Sequence, residues 1–516
     1  MRRPAILPGR STSKLLGSFA SLLVWAGATA CSDGVPTTPS ELGSEGQFAK
    51  TKGPLRVTPP QLTFTSLQAN ATLSAASTNA GAITVEVSTP ACVSVSPRRI
   101  TRSPAKFTAT STAPGSCRII VRDGANAVVE VPVEVVPLLH GTLTVGFEHS
   151  CGLTTQGAAY CWGSNEFGQL GSSSNSGTEN PNPTPLAVQG GLTFSRLAAG
   201  GLHTCGLTAD GSAYCWGANS IGQLGVQVST DPRNPTPTPT AVNTALRFVA
   251  IAAGSQHTCA LTGAGAAYCW GSNPWGELGI DANLDPNPTP VAVNTTTAFA
   301  QLAAGESHNC ALTGEGVAYC WGRNNFGQLG TEDNIENSGP NPIPKPVSGS
   351  LVFASIVAGS VQTCALTSAG ASYCWGSNER GELGSEATYE DPDPNTTPLP
   401  VDGSLVFSSL TAGRQITCGV TTNGDGYCWG TNVFGLLTRP PGELARTPTP
   451  TLLNGDLKFI QLTVYQQHVC GVNTVGAAYC WGLNQLGQLG TTLNSGSTTL
   501  TITPQAVSGG QVFGLP

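Results

Sequence analysis

The chain has 516 residues, too many for one ordinary domain, and a formal charge of −7, yet only 10% of its residues are charged, against about 25% in an average soluble protein. With 64 glycines, 38 prolines, one methionine and no long stretch of 3.6-residue periodicity, the composition excludes helical solenoids and bundles. Abundant Thr, Val, Ser and Ala between turn residues point instead to many short strands.

Residues 1–30 read as a targeting segment, because Arg2, Arg3, Arg10 and Lys14 precede an apolar run from Leu15 to Ala30. Ala28-Thr29-Ala30 before Cys31 resembles a bacterial lipoprotein signal, which implies that Cys31 is lipidated and becomes the mature N-terminus. Ala28 stands where that family has Leu, and an Ala-x-Ala box also suits the ordinary signal peptidase, so both cleavages stay open. Cysteine parity favours the lipid: of 17 cysteines sixteen fall into pairs, and Cys31 is left over. No later segment is apolar enough to span a bilayer, which makes the lipid anchor the sole expected membrane attachment. Residues 31–54, rich in Ser, Gly, Pro and Thr, read as a flexible tether with an r.m.s. reach of about 25 Å.

From 55 to 137 the pattern changes to short alternating runs such as Ile83-Thr84-Val85-Glu86-Val87 and Val128-Val129-Glu130-Val131. Several such runs within about eighty residues predict a small β-sandwich. It resembles the bacterial immunoglobulin-like domains of surface proteins, a spacer or an adhesive module. Cys92 and Cys117 lie on or beside two of the runs, placed for a disulfide between them.

The strongest signal fills 138–516, where one unit recurs seven times with a period of 51 to 54 residues. Each unit has Cys, nine residues, then Cys-Trp-Gly: Cys151/Cys161-Trp162, Cys205/Cys215-Trp216, Cys259/Cys269-Trp270, Cys310/Cys320-Trp321, Cys364/Cys374-Trp375, Cys418/Cys428-Trp429 and Cys470/Cys480-Trp481. The turn chemistry of Ala209-Asp210-Gly211 predicts a hairpin in which Leu207 faces Ala213 and Cys205 faces Cys215, close enough for one cross-strand disulfide per unit. Such bridges argue for an oxidising compartment. The Trp, next to the second Cys, points to the opposite face of the sheet and is expected to pack between neighbouring units.

The second unit, with Leu197-Ala198-Ala199-Gly200-Gly201-Leu202-His203-Thr204-Cys205 and later Gly222-Gln223-Leu224-Gly225, resembles the repeat of the regulator of chromosome condensation family. The resemblance implies an all-β fold, a seven-bladed β-propeller, here preceded by the small immunoglobulin-like β-sandwich. The sixth unit departs, with Gly435-Leu436-Leu437-Thr438 and with Ile416 in the His position, where the fifth has Gln362. The C-terminal segment from Thr503 to Phe513 repeats the lead-in Pro185–Phe194, and is expected to complete the first blade and close the ring.

No chemistry-bearing constellation stands out. Cys-x9-Cys with His149, His203, His257, His308 and His468 two residues upstream is a poor zinc spacing, and the Asp- and Glu-bearing loops lack a calcium-loop pattern, so no metal or cofactor is expected. The glycine-rich turns lead into no helix and form no phosphate loop. Glu148 and Glu306, the acids of the His-bearing segments, belong to units one and four, too far apart for a glycosidase pair.

Residues 141–516 carry 10 basic and 23 acidic side chains, a net charge of −13 that repels a phosphate backbone and excludes nucleic acid as partner. Variable Asn-, Pro- and acid-rich segments (Thr178–Pro183, Asp281–Pro290, Glu332–Glu336, Glu386–Pro394) occupy one position of the repeat and should share one face. The reading is a monomeric, non-enzymatic scaffold at the bacterial cell envelope, outer membrane or surface, recognising a protein or glycan. Two alternatives are the nucleotide exchange on a small GTPase that the resemblance implies, and a cell-envelope hydrolase.

Overall fold

A computed structural model describes residues 55–64, 70–79, 81–88, 93–111, 115–135, 142–228, 235–335 and 339–514. The targeting segment, Cys31, the tether and Cys92 lie outside the described residues. Among the described residues every regular element is a strand except a one-turn 3-10 helix at Glu386–Thr388, and no helix is long and apolar enough to cross a membrane.

Leu55–Thr58, Asn70–Ser77, Ala105–Ser111 and Val93–Ser96 form a four-stranded antiparallel sheet in that spatial order. Leu62–Phe64, Val128–Val135, Gly115–Arg122, Ile83–Val87 and Arg99–Ile100 form a five-stranded one, with Leu62–Phe64 parallel to its neighbour. The period-2 alternation does its work here: Val93 and Val95 are buried and Ser94 and Ser96 exposed. Leu73, Val95 and Phe107 of the first sheet share one core with Val85, Ile119 and Val131 of the second, so the two sheets close over each other as a sandwich. Asp123, after the strand Gly115–Arg122, accepts hydrogen bonds from the Ser77 hydroxyl (2.7 Å), the Asn79 amide (2.7 Å) and two backbone N–H groups, and ties one sheet to the other. Cys117 is buried and disulfide-bonded.

Each of the seven repeats forms one four-stranded antiparallel sheet whose strands follow chain order. In the second repeat these are Arg196–Ala199, His203–Leu207, Ala213–Gly217 and Thr236–Ala241. The central hairpin has Cys205 opposite Cys215 and Leu207 opposite Ala213, with Thr208 N–H donating to Ser212 O across the turn (3.0 Å). Gly211 sits there at φ +80°, where a Cβ would also press on Phe248 O, so the turn takes glycine. Cys151–Cys161, Cys205–Cys215, Cys259–Cys269, Cys310–Cys320, Cys364–Cys374, Cys418–Cys428 and Cys470–Cys480 are disulfide-bonded with Cα atoms 4.0–4.1 Å apart. A closed loop of this size contributes roughly 2 to 3 kcal/mol through chain entropy.

The outermost strand of each sheet is an edge, and the sequence defends it. Asn182–Ala187 reads Asn-Pro-Thr-Pro-Leu-Ala, Thr236–Ala241 reads Thr-Pro-Thr-Pro-Thr-Ala, and Asn341–Pro346 reads Asn-Pro-Ile-Pro-Lys-Pro. Proline lacks the N–H that another chain would pair with, so these edges resist aggregation.

Between sheets the cement is tryptophan. All seven repeat tryptophans are fully buried, and Trp216 shares a core cluster with Cys151, Cys161 and Leu170 of the preceding repeat. The next disulfide, Cys205–Cys215, lies in turn in the cluster of Trp270. Each disulfide thus floors the pocket of the following tryptophan. A phenylalanine covers the indole: Phe194 on Trp216 (5.6 Å between ring centroids), Phe248 on Trp270 (6.2 Å), Phe407 on Trp429 (5.7 Å) and, at the end of the chain, Phe513 on Trp162 (5.8 Å).

The last sheet packs on the first, but by a different device from the one expected. Thr501–Ala506 pairs with Ala478–Gly482 and is the outermost strand of its own sheet, so it does not complete the first blade. What crosses is the tail: Phe513 bridges Thr154, Gly514 N–H donates to Leu153 O (3.1 Å), and Leu143, Val145 and Trp162 share a core with Cys470, Val472 and Phe513. The expectation rested on the likeness of this segment to the lead-in Pro185–Phe194; of that segment it is the phenylalanine that crosses to the first sheet. Trp216→Ala and Phe513→Ala should each cost about 3 to 5 kcal/mol in chemical denaturation. An unchanged midpoint for Phe513→Ala would contradict closure through the tail.

Candidate functional site

The residue two places before each first cysteine and the one after it look like separate columns in the sequence, but the structure joins them by hydrogen bonds across six of the seven junctions. Nε2 of His149 lies 2.9 Å from Thr204 Oγ1, that of His203 2.9 Å from Thr258 Oγ1, and that of His308 2.9 Å from Thr363 Oγ1. His257 reaches Asn309 Oδ1 at 3.0 Å, and His468 closes the circle onto Ser150 Oγ at 2.7 Å. The partner group then donates to the second residue of the preceding Gly-Gln-Leu-Gly turn: Thr204 to Gln169 O (2.9 Å), Thr258 to Gln223 O (2.9 Å), Thr363 to Gln328 O (2.8 Å), Ser150 to Gln488 O (3.0 Å), and Asn309 Nδ2 to Glu277 O (2.7 Å). With the hydroxyl proton committed to that carbonyl, the hydroxyl oxygen accepts from the imidazole, which fixes each proton on Nε2.

The same carbonyls accept the indoles: Trp162 to Gln488 O, Trp216 to Gln169 O, Trp270 to Gln223 O, Trp321 to Glu277 O, Trp375 to Gln328 O, Trp429 to Glu382 O and Trp481 to Leu436 O, all at 2.8–3.1 Å. At every one of these oxygens except Leu436 O, where Val469 offers no donor, two donors fill both lone pairs, Thr417 supplying the second at Glu382 O (2.8 Å).

The two repeats that lack the His explain themselves in these terms. Gln362 donates to Gly413 O and Ile416 O (3.2 and 3.0 Å) and still reaches the relay hydroxyl, Thr417 Oγ1, at 3.4 Å. Ile416 meets Val469, in one apolar cluster, so donor and acceptor are lost together at that junction. This paired loss, one unit apart, is the signal by which the sequence could have revealed the coupling.

The arrangement is structural, and it engages Nε2 of each histidine while Nδ1 of His149, His203, His308 and His468 is buried without a partner. The repeat cysteines are in disulfides and the histidines in the relay; among the described residues no group of three His, Cys, Asp or Glu side chains is placed to hold an ion. Burial pushes the pKa of His149, His203, His308 and His468 down to about 3 and that of His257 to about 4, keeping the rings neutral.

Two turns carry Glu277 and Glu382 where four others have Gln. Glu382 Oε2 accepts from Arg380 N–H (2.7 Å), its other oxygen has no partner, and burial raises the pKa of both carboxyls.

An antiparallel sheet puts the turn between its first two strands and the connection between its last two at the same end, so the long segments emerge together around the mouth of a central channel lined by the inner strands. The segments are more ordered than the sequence suggests. Asn283–Ala292 is an outermost strand of ten residues, where its equivalents have six or seven, with Leu284 88% exposed, and Glu386–Thr388 forms the 3-10 turn. On this face the Arg323 guanidinium lies 5.0 Å from the Trp275 ring and 5.4 Å from that of Phe326, and Arg446 pairs with Glu390 (2.6 Å) while lying 5.6 Å from the Tyr389 ring. Lys345 pairs with Asp333 (2.8 Å).

Opposite pH dependences follow. The histidines bind protons more readily unfolded than folded, so their stabilisation is complete above pH 6.5 and is lost as pH falls toward 3, by about 1.4 kcal/mol per pH unit per histidine. Glu277 and Glu382 have raised folded values; their contribution is present below the ordinary Glu value of 4.5 and is lost as pH rises through the folded one. Glu382→Gln should therefore raise stability at pH 7 and leave it unchanged at pH 4, read by urea denaturation at both. Destabilisation at pH 7 would contradict the burial of an unsatisfied carboxyl.

The comparisons agree with this geometry. The family model described as RCC1-like domain matches residues 115–355 and 178–513. The chain is 28% identical over 352 residues to the ultraviolet-B receptor UVR8 of Arabidopsis thaliana, covering 67% of this chain and 78% of the receptor. It is 31% identical over 315 residues to the mitochondrial RCC1 domain-containing protein RUG3 of the same plant, covering 59% and 68%. Against the human E3 ubiquitin-protein ligase HERC2 it is 28% identical over 68% of its own length but spans only 7% of the ligase. Prp20p from Saccharomyces cerevisiae has the same fold, with a TM-score of 0.60 at 24% identity over 72% of this chain and 88% of that one. Human WBSCR16 does as well, with a TM-score of 0.59 at 19% identity over 68% and 95%. Four-stranded sheets cemented by tryptophan and a family model that spans most of the sequence lead to one conclusion: the chain belongs to the RCC1-like domain family, as an all-β propeller.

Proposed function

We propose that this chain is an exported, non-enzymatic binding scaffold, a monomer that holds a protein or glycan of the cell envelope on one face of a seven-bladed propeller. The propeller is carried on an immunoglobulin-like domain and a tether, with a lipid on Cys31 as its anchor. Seven four-stranded sheets, the last packed on the first, support the blade count, and the two-sheet sandwich supports the preceding domain. A disulfide in every sheet supports export, because such pairs persist in oxidising compartments.

The observation that carries the reading is the loop face. Its sheets are locked by disulfides and buried hydrogen bonds, and at their ends sit half-buried aromatic rings with arginines on them, Trp275–Arg323–Phe326 and Tyr389–Arg446, while Leu284 of a lengthened outermost strand is exposed. Aromatic and Arg anchors on a rigid frame are what protein recognition favours. The excess of acids over bases in the repeats disfavours nucleic acid. Nucleotide exchange would need a cytoplasmic GTPase, and a fold does not transfer that activity by itself.

The soluble 141–516 fragment should retain a partner from envelope extracts, and Trp275→Ala with Arg323→Ala should lose it by tenfold or more, about 1.4 kcal/mol. Equal retention by the double variant, or recovery of the native protein from the cytoplasm with reduced cysteines, would overturn the proposal.

A further inference from the structure

The central channel has one anomalous sheet. At the end of each inner strand stands a glycine, Gly146, Gly200, Gly254, Gly305, Gly359 or Gly413, whose absent Cβ would collide with a carbonyl oxygen of the next sheet. In the seventh sheet the position is Tyr465, at the junction with the first. Backbone hydrogen bonds run around the mouth from sheet to sheet, from Phe147 N–H to Gly201 O (3.1 Å) through to Arg414 N–H to Tyr465 O (2.6 Å). Where the seventh meets the first, the Tyr465 ring packs edge-on against Phe147 (4.8 Å) instead.

The phenol reaches across the mouth into the fields of Glu306 and Arg414 and the neighbourhood of Ser255. Its hydroxyl is buried with the Ser255 side chain as its polar neighbour, and makes no hydrogen bond of good geometry there. Burial pushes its pKa up, so it is a neutral donor waiting for an acceptor. Glu306 and Arg414 stand on either side of Ser360, one sheet apart on each side. The Ser360 hydroxyl donates to Glu306 Oε2, while Arg414 forms no ion pair among the described residues. Below them the channel holds about 200 Å³ and is lined by small side chains including Ala303 and Val357.

Two opposite charges line one channel without pairing with each other, Arg414 exposed and Glu306 half-buried, and with the Tyr465 hydroxyl on the same lining they match a ligand carrying both charges within a few bonds. We infer that the channel mouth binds a zwitterionic α-amino acid with a small aliphatic side chain: its ammonium on Glu306, its carboxylate on Arg414 and the Tyr465 hydroxyl, its side chain toward Ala303 and Val357. A simple anion leaves Glu306 facing like charge, and a simple cation does the same to Arg414. A neutral sugar leaves both charges with weaker bonds than a charged partner makes. The site uses none of the side chains assigned to the proposed partner binding, so either can fail alone.

The test is calorimetric titration of the mature protein with L-alanine, L-valine, acetate, methylammonium and glucose. Alanine and valine should bind saturably, with the three controls at least about tenfold weaker. Glu306→Gln and Arg414→Gln should each weaken valine roughly ten- to a hundredfold at an unchanged melting temperature, and Tyr465→Phe should weaken it less. Absence of saturable amino-acid binding, glucose binding as tight as valine, or full affinity in the two charge variants would overturn the assignment.

Discussion

One buried backbone carbonyl per repeat governs how the sheets meet. An indole buried without an acceptor, or a carbonyl buried without donors, costs a few kcal/mol, and here each defect cures the other. The carbonyl is presented by a tight turn braced from behind: Asn165 accepts from Leu170 N–H (3.0 Å) and donates to Ser172 O (2.7 Å), and Asn219, Asn273, Asn324, Asn378, Asn432 and Asn484 repeat the acceptor role. That asparagine follows Cys-Trp-Gly by one residue, so the disulfide hairpin that supplies one sheet's tryptophan also sets the acceptor for the next. Every junction depends on its neighbour's hairpin, and the ring gains stiffness that a row of independent sheets lacks.

Much of this was legible in the sequence, and for a reason. The hairpin register follows from local turn chemistry, so Cys205 opposite Cys215 could be read from Asp210-Gly211 and the spacing alone. The burial of Trp216 follows from alternation. What escaped were the local bracing of a turn by Asn165 and contacts between residues more than thirty positions apart that leave no local pattern: the Thr204 link to Gln169 and the landing of Phe513 on Trp162. The lead-in repeat at the C-terminus was visible, but whether it adds a strand or only a side chain depends on which edge is already occupied. Ile416 and Val469 show that the relay could have been inferred, had the two columns been compared one unit out of step.

The candidate site has the complementary character. Its framework is repetitive and therefore readable, whereas its specificity lies in departures from the repeat: Trp275 and Arg323 on the loop face, Glu306, Arg414 and Tyr465 at the channel mouth. Such single-copy residues look like noise beside a strong period. They gain meaning only when the ring brings units three to seven around a common axis. A stiff core is what permits them, since apart from Tyr465, whose ring packs on Phe147, none of them takes part in the relay or the tryptophan packing at the junctions.

Hydrogen exchange at the seven repeat indoles tests the central claim most directly, because each Nε1–H is held by the neighbouring sheet's carbonyl. If that bond unites the ring, all seven, including Trp162 at the last-to-first junction, should exchange only through global unfolding and share one denaturant dependence. Rapid exchange of several indoles by local opening, with the disulfides intact, would show that the sheets are independent and contradict the account.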